Sequence, residues 1–193
     1  MRMLLIGAPG AGKGTQAALI SERFGIAHIS SGDLLRKHVE DNTTIGRAAK
    51  EYLARGDLVP DSIVLDMLRK PVVAASEAGG YVLDGFPRTV EQAKVAYETA
   101  SELGVAVEVA IYLDVPTGEL TRRLLARGRG KDDTPDVIEH RLTVFEAKTR
   151  PMLDYYAERE ELITVDGARP APEVFRSITV QLQQLRHHPT QIS

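Results

Sequence analysis

Nine residues near the start of the chain, Gly7-Ala-Pro-Gly-Ala-Gly-Lys-Gly-Thr15, constrain its fold more than any other stretch, and they follow directly on Met3-Leu-Leu-Ile6. An apolar run that ends in a glycine-rich turn and opens into a helix reads as strand, loop, helix. The glycines let the backbone curl until successive N–H groups point into one concavity. A helix starting near Lys13 adds its positive end to the same spot. The stretch is therefore read as a phosphate site, with Lys13 a cation at the β/γ side of a bound nucleotide and Thr15 a hydroxyl near its metal.

Two departures from general patterns bear on that reading. The usual phosphate loop has Ser or Thr directly after the lysine, whereas here Gly14 intervenes before Thr15. A dinucleotide-binding fingerprint would use Gly10 and Gly12 but needs a third glycine at 15, where this chain has Thr. Asp33 stands about where such a fold keeps its ribose acid, yet that fold has no use for Lys13.

Apolar runs alternating with helical patterns predict the rest. Strands are expected at 3–6, 26–29, 81–84, 105–113 and 161–165. Helices are expected at 14–24 (ended by Gly25), about 31–41, 45–55 (capped by Thr43 or Thr44, ended by Gly56), 61–76, 89–103, 116–126, 136–159 and 172–186. Pro71 should kink or end its helix, Pro151 should kink the long one, and Asp136 should cap it. Thr89 and Gln92 have capping-box spacing. Residues 127–133, Arg-Gly-Arg-Gly-Lys-Asp-Asp, read as a mobile loop, and the tail after His187 as frayed. His187 and His188 lack the partners a metal site needs.

Five strands alternating with helices give a parallel sheet covered on both faces, a three-layer α/β/α domain with right-handed crossovers. Its site lies beyond the strand C-termini. Gly7, Ser30, Ser31, Asp84, Gly85, Asp114, Asp166 and Gly167 should converge there. The 193 residues suffice for one domain with a real core and a small inserted lobe. A net charge of −3 argues against a general nucleic-acid binder, so an anion site must come from locally placed arginines. No apolar run approaches the roughly 18 residues of a membrane span, and the N-terminal one is too short for a signal peptide. Without cysteine there are no disulfides and no thiolate zinc site, which is compatible with a cytoplasmic protein.

A second set of groups defines the chemistry. Asp84-Gly-Phe-Pro-Arg88 ends a strand of the same sheet, so Asp84 suits a Mg²⁺ held beside the phosphate loop, directly or through water. Pro87 stiffens the turn and Arg88 is aimed across the cleft, where a guanidinium fork matches phosphate oxygens. Arg127, Arg129 and Arg141 form a further basic set, with Arg122, Arg123 and Lys131 nearby. Glycines between Arg127 and Lys131 suggest a lid that folds arginines over phosphates, held closed by Asp132 and Asp133. Transfer between ATP and a phosphate acceptor needs several fixed cations and exclusion of water. The acceptor, with a second pKa of about 6, is already ionised and needs no catalytic base.

Five segments in chain order then resemble one family. Gly-Ala-Pro-Gly-Ala-Gly-Lys-Gly-Thr-Gln (7–16), Ser-Gly-Asp-Leu-Leu-Arg (31–36), Gly-Asp-Leu-Val-Pro (56–60), Asp-Gly-Phe-Pro-Arg (84–88) and Arg-Gly-Arg…Asp-Asp (127–133) look like adenylate kinase, a nucleoside monophosphate kinase, in a short-lid bacterial-type form. Lys-Gly-Thr is the normal loop ending in those kinases. The resemblance implies Mg²⁺-dependent transfer from ATP to AMP, giving two ADP, by a monomer. It implies that Gly10, Ala11, Gly12, Lys13, Gly14 and Thr15 hold the ATP phosphates, with Arg127 and Gly167 contacting the same nucleotide. Ser31, Arg36, the backbone of Asp57, Leu58 and Val59, and Gly85, Phe86, Pro87, Arg88 and Gln92 would bind AMP. Arg129 and Arg141 would bridge the two nucleotides, making Lys13, Arg88, Arg129 and Arg141 the catalytic set. Residues 30–59 correspond to an AMP-binding insert and 126–136 to the lid.

Two features depart from the commoner bacterial pattern. The lid lacks the longer insertion that in some members binds zinc, and position 31 is Ser where Thr is usual. A UMP/CMP kinase shares this fold and chemistry, and Gln92 argues against it, because an amide offers the adenine edge both a donor and an acceptor. GTP as donor stays open. A non-catalytic nucleotide-responsive switch would need only some of Lys13, Asp84, Arg88, Arg129 and Arg141.

Overall fold

β1 (Arg2–Ile6) is the middle of a parallel sheet, with Met3, Leu4, Leu5 and Ile6 all buried. The computed structural model describes residues 1–128, 130–159 and 161–187. Arg129, the His188 of the terminal pair and the tail expected to fray lie outside the described residues, as do the side chains of Lys131, Asp132, Arg186 and His187. β2 (Ala27–Ser30), β3 (Tyr81–Asp84), β4 (Val109–Asp114) and β5 (Leu162–Asp166) complete the sheet in the order β2-β3-β1-β4-β5. Every pairing is parallel, which requires a crossover between strands and covers both faces with helices. Leu5 lies opposite both Asp84 and Ile111, so the strand that feeds the glycine loop ends level with the strand that ends in a carboxylate.

Around the sheet run α1 (Lys13–Phe24), α2 (Ser31–Glu40), α3 (Thr44–Arg55), α4 (Asp61–Glu77), α5 (Val90–Glu102), α6 (Thr117–Arg127), α7 (Pro135–Val144), α8 (Met152–Ala157) and α9 (Ala171–His187). Local chemistry sets their ends. Gly25 and Gly56 close α1 and α3 in the left-handed conformation. Ser30, Thr43 and Thr89 cap α2, α3 and α5 by accepting from the N–H groups of Asp33, Gly46 and Gln92.

Four expectations are corrected. β4 starts at Val109, not 105, because 105–108 have other obligations. The Val105 N–H closes the end of α5 on Ala100 O, its carbonyl accepts from the Tyr81 hydroxyl at 2.7 Å, and Glu108 braces Arg2. α4 does not end at Pro71 but continues to Glu77: a proline inside a helix costs about 3 kcal/mol, and burying Val64, Met67, Leu68 and Ala75 on one face outweighs it. Thr134, with Pro135 at the first helical position, precedes α7, and Asp136 falls inside its first turn. The long helix expected over 136–159 is three pieces, since Phe145–Thr149 forms a π turn between α7 and α8. Pro151 can supply no N–H to the preceding turn, and the chain widens just before it.

α2 and α3 fold back on each other so closely that a Cβ built on Gly46 would lie 1.9 Å from His38 O. Gly46 has ordinary helical geometry, so alanine gains about 1 kcal/mol of helix propensity there. The clash is with backbone and cannot be relieved by a rotamer, so overpacking of roughly 1–3 kcal/mol or more wins. Gly46→Ala is expected to lower the thermal unfolding midpoint; an unchanged or raised midpoint would show that α2 and α3 part readily.

Candidate active site

The main cleft, about 640 Å³, opens at the C-terminal ends of β1, β2 and β3 and is lined by Gly10, Gly12, Lys13, Thr15, Asp84, Arg88, Arg127 and Arg141 among others. It starts with the loop after β1. Gly10 (φ +86) and Gly12 (φ +93) take left-handed geometry, and a side chain on Gly10 would strike Leu124 of α6 at 2.9 Å. The loop thus packs tightly on α6 while presenting its backbone to the cleft. Lys13 folds over this loop and donates to Gly7 O at 2.8 Å and Ala8 O at 3.2 Å, which leaves the third ammonium proton for a ligand. Burial holds its ammonium below the ordinary lysine value; Asp84 opposes that, and Arg88, Arg141 and Arg127 push it further down.

Arg88 sits across the cleft from Lys13. Its Nε donates to Gly85 O at 2.6 Å, while its two terminal nitrogens have no protein acceptor among the described residues. Burial lowers its pKa from the ordinary arginine value, Arg141 adds to the lowering and Asp84 works against it. A partly buried guanidinium that is short of acceptors and crowded by like charge suits an anion. Asp84 ends β3 inside the cleft, with the Thr15 hydroxyl also on the lining.

The lid segment is a single 3₁₀ turn, Gly130–Asp133, between α6 and α7. The Asp133 carboxylate is fully buried and takes a bidentate pair from Arg127 (Nε at 2.8 Å, Nη2 at 2.6 Å), with Arg141 Nη1 at 3.6 Å. One carboxylate therefore orients two arginines from two helices. Arg122 is solvent-exposed and paired with Glu119.

The residues expected on the acceptor side fall in different places. Arg36 reaches the cleft and pairs with Asp33. Leu58, Gly85 and Pro87 line the cleft, whereas Val59 and Phe86 are core residues behind it. Asp57 turns away to His140 Nε2 (2.8 Å) and Arg55 (3.1 Å). Ser31 is buried beside Gly85, and its hydroxyl has no partner among the described residues. Gln92 is buried and engaged at both ends of its amide: Oε1 accepts from Arg88 N at 2.7 Å and Nε2 donates to Asp61 Oδ1 at 2.5 Å. Capping-box spacing would return that side chain to Thr89 N–H, and the structure sends it one residue further back. Each end retains one hydrogen-bonding position.

Asp114 and Asp166 do not join the cleft. Asp114 accepts from Tyr112, and Asp166 folds onto Ala168 N and Arg169. Gly167 lines a second cavity of about 300 Å³ behind the phosphate loop, with Gly10, Gly12, Thr15, Gln16 and Arg169. Arg123 borders both cavities and was missed as a site residue; its Nε pairs with Glu119 and its terminal nitrogens hold Gly167 O and Ala168 O at 3.0 and 3.1 Å. Its signal was spacing: Arg123 and Arg127 are four apart and share a helix face.

The family model described as adenylate kinase matches residues 5–161. The chain belongs to the adenylate kinase family. Relatives named adenylate kinase are 46% identical in Mycobacteroides abscessus (91% of this chain, 95% of that one) and 44% identical in Leptospira biflexa (92% and 97%). A protein named adenylate kinase 1 from Nostoc is 40% identical over 94% of this chain and 98% of its own. The family match spans the phosphate loop, Arg88 and the Arg127–Asp133–Arg141 cluster.

Asp133→Asn would remove the charge that two arginines share. Breaking charge-assisted bonds to a buried carboxylate is expected to cost about 2 kcal/mol, read as a lower urea midpoint without nucleotide; an unchanged midpoint would mean the pairing contributes nothing to stability.

Proposed function

We propose that the chain catalyses reversible, Mg²⁺-dependent phosphoryl transfer from ATP to AMP, giving two ADP. The observation that carries this reading is Arg88: a partly buried guanidinium whose terminal nitrogens have no acceptor among the described residues, in one cleft with a phosphate loop and its lysine. A phosphate loop alone fits any nucleoside triphosphate enzyme. A second, separately anchored arginine fork adds a place for a second phosphate.

Each residue then has a task. Gly10, Ala11, Gly12, Lys13, Gly14 and Thr15 hold the donor phosphates, and Arg127 and Gly167 border the donor nucleotide. Ser31, Arg36, Asp57, Leu58, Val59, Gly85, Phe86, Pro87, Arg88 and Gln92 form the acceptor side, in which the unpaired Ser31 hydroxyl is a capacity that a ligand can satisfy. Arg141, with Arg129, bridges the phosphates as negative charge moves between them. Residues 30–59 act as the acceptor lobe and 126–136 as the lid. Asp84 and Thr15 fit a Mg²⁺ carried on the donor phosphates. No cluster of three carboxylate or imidazole groups exists among the described residues, which suits a cation that keeps its waters and its phosphate ligands. When bound, the cation neutralises charge on the transferring group. A phosphate acceptor is ionised at neutral pH, so the chain supplies position and positive charge and no base.

The proposed working form is a monomer, which agrees with all these groups lying on one chain, and its proposed location is the cytoplasm. No helix among the described residues is long and apolar enough to cross a membrane.

The test is ADP formation from ATP and Mg²⁺ with AMP, UMP, CMP or GMP, each beside a no-acceptor control. Fast turnover with AMP is expected, lowered about 10³-fold by Arg88→Gly. No acceptor-dependent turnover would overturn the proposal, and a preference for UMP or CMP would overturn the reading of Gln92, whose Gln92→Ala variant should lose AMP far more than ATP.

A pH dependence follows from Lys13. In the free protein burial holds its pKa below 10.5, and a polyphosphate alongside favours the charged form and raises it. Binding then takes up a proton: ATP affinity is full below the free-form value and falls as pH rises through it. Calorimetry from neutral to alkaline pH should show this decline in wild type and not in Lys13→Met. The same decline in both would assign it to another group.

A further inference from the structure

Arg88 is held through its backbone as well as its side chain. Its N–H donates to Gln92 Oε1 at 2.7 Å, and its carbonyl accepts from Thr149 Oγ1 at 2.8 Å. The first contact comes from a neighbour in sequence. The second comes from a residue 61 positions away, outside every segment that marks the family resemblance.

Thr149 is the last residue of the π turn Phe145–Thr149, in which Arg150 N–H reaches back five residues to Phe145 O at 2.9 Å. One extra residue in a turn rotates the downstream helix by about 100°. Here both ends of the widened turn, Phe145 and Thr149, are buried, and Thr149 borders the cleft. A helical threonine ordinarily bonds a carbonyl of its own helix. Thr149 instead spends its one proton on the loop that carries Arg88. The π turn continues α7, which carries Arg141. One hydroxyl thus ties the element bearing Arg141 to the peptide bearing Arg88.

We propose that Thr149 is a positioning residue for phosphoryl transfer. Its hydroxyl fixes the Arg88 peptide, and through it the guanidinium, in register with Arg141. The proposal rests on the reading that Arg88 grips the acceptor phosphate. It predicts damage on the acceptor side and in the transfer step, with donor binding spared, because the Thr149 hydroxyl bonds to the Arg88 peptide and not to the Lys13 loop. A hydroxyl that served stability alone would not discriminate between the nucleotides.

Steady-state rates with AMP varied at saturating ATP, and the reverse, separate these possibilities in Thr149→Val, Thr149→Ser and Arg88→Lys, with thermal unfolding followed in parallel. Thr149→Val keeps the shape and loses the donor, and kcat/KM for AMP should fall about tenfold while KM for ATP stays within about twofold. Thr149→Ser restores the donor and should restore kcat/KM for AMP. A valine variant with a lower unfolding midpoint but equal effects on both nucleotides, or with no kinetic effect, overturns the proposal. So does a serine variant as impaired as the valine one. If the valine variant does not fold, Thr149→Ala takes its place in the same comparison. Arg88→Lys should lose far more than Thr149→Val; wild-type rates in Arg88→Lys would instead overturn the underlying reading of Arg88, a result distinct from failure at Thr149 alone.

Discussion

Lys13, Arg88, Arg127 and Arg141 share one cleft, and their mutual repulsion is the constraint the rest of the structure answers. Without anions such a cluster is unfavourable, and the lowered pKa values of Lys13 and Arg88 record it, each with desolvation first and neighbouring arginines adding to it. The fold offsets this strain with fixed acceptors. Gly7 O and Ala8 O take the Lys13 ammonium, Gly85 O takes Arg88 Nε, and the Asp133 carboxylate takes Arg127. What stays unsatisfied is directional: the third ammonium proton and the outer fork of Arg88. The free protein therefore holds its cations oriented before substrate arrives, and catalysis by placement needs this.

The arginines are anchored by two different means. Arg88 stands on a short turn at the end of a buried strand, with its peptide pinned on both sides, so its position is as rigid as the sheet. Arg127 and Arg141 come from α6 and α7 and depend on one another through Asp133. Their shared carboxylate lies in the 3₁₀ turn between those helices, so a change in that turn moves both cations together. The Arg88 charge is held from the core and the Arg127 and Arg141 charges from the turn between α6 and α7, so one cleft draws its cations from two separately anchored parts of the fold.

How much of this was legible in the sequence depended on how local each determinant is. The phosphate loop, the glycine stops at 25 and 56 and the threonine caps are written in three or four adjacent residues, and the structure reproduces them. The five parallel strands followed from apolar runs between helical patterns. The features that escaped reading are decided by partners distant in sequence. Val105 to Glu108 have the composition of a strand, but Ala100, Tyr81 and Arg2 claim them first. Pro71 looked like a break, because the apolar face that carries α4 past it shows only once packed. Asp114 and Asp166 were expected in the cleft by analogy with Asp84, yet both are satisfied by neighbours in sequence. Arg123 is indistinguishable from Arg122 by composition, and only the helix face on which it falls separates a cavity wall from a solvated charge.

Gln92 shows why a residue type and a spacing under-determine a role. Capping-box spacing and the donor–acceptor pair of an amide both pointed to this position, for different reasons. The buried side chain serves a third purpose in the free protein, joining Arg88 N to Asp61 at the start of α4. The remaining N–H of Nε2 and the second lone pair of Oε1 are still a donor and an acceptor side by side, the pattern that complements an adenine edge. An amide fixed by two bonds holds its remaining positions in one orientation and has little side-chain entropy left to lose, and the same bonds hold the Arg88 peptide in place. Gln92 thus ties the peptide of Arg88 to the start of α4 through a single side chain.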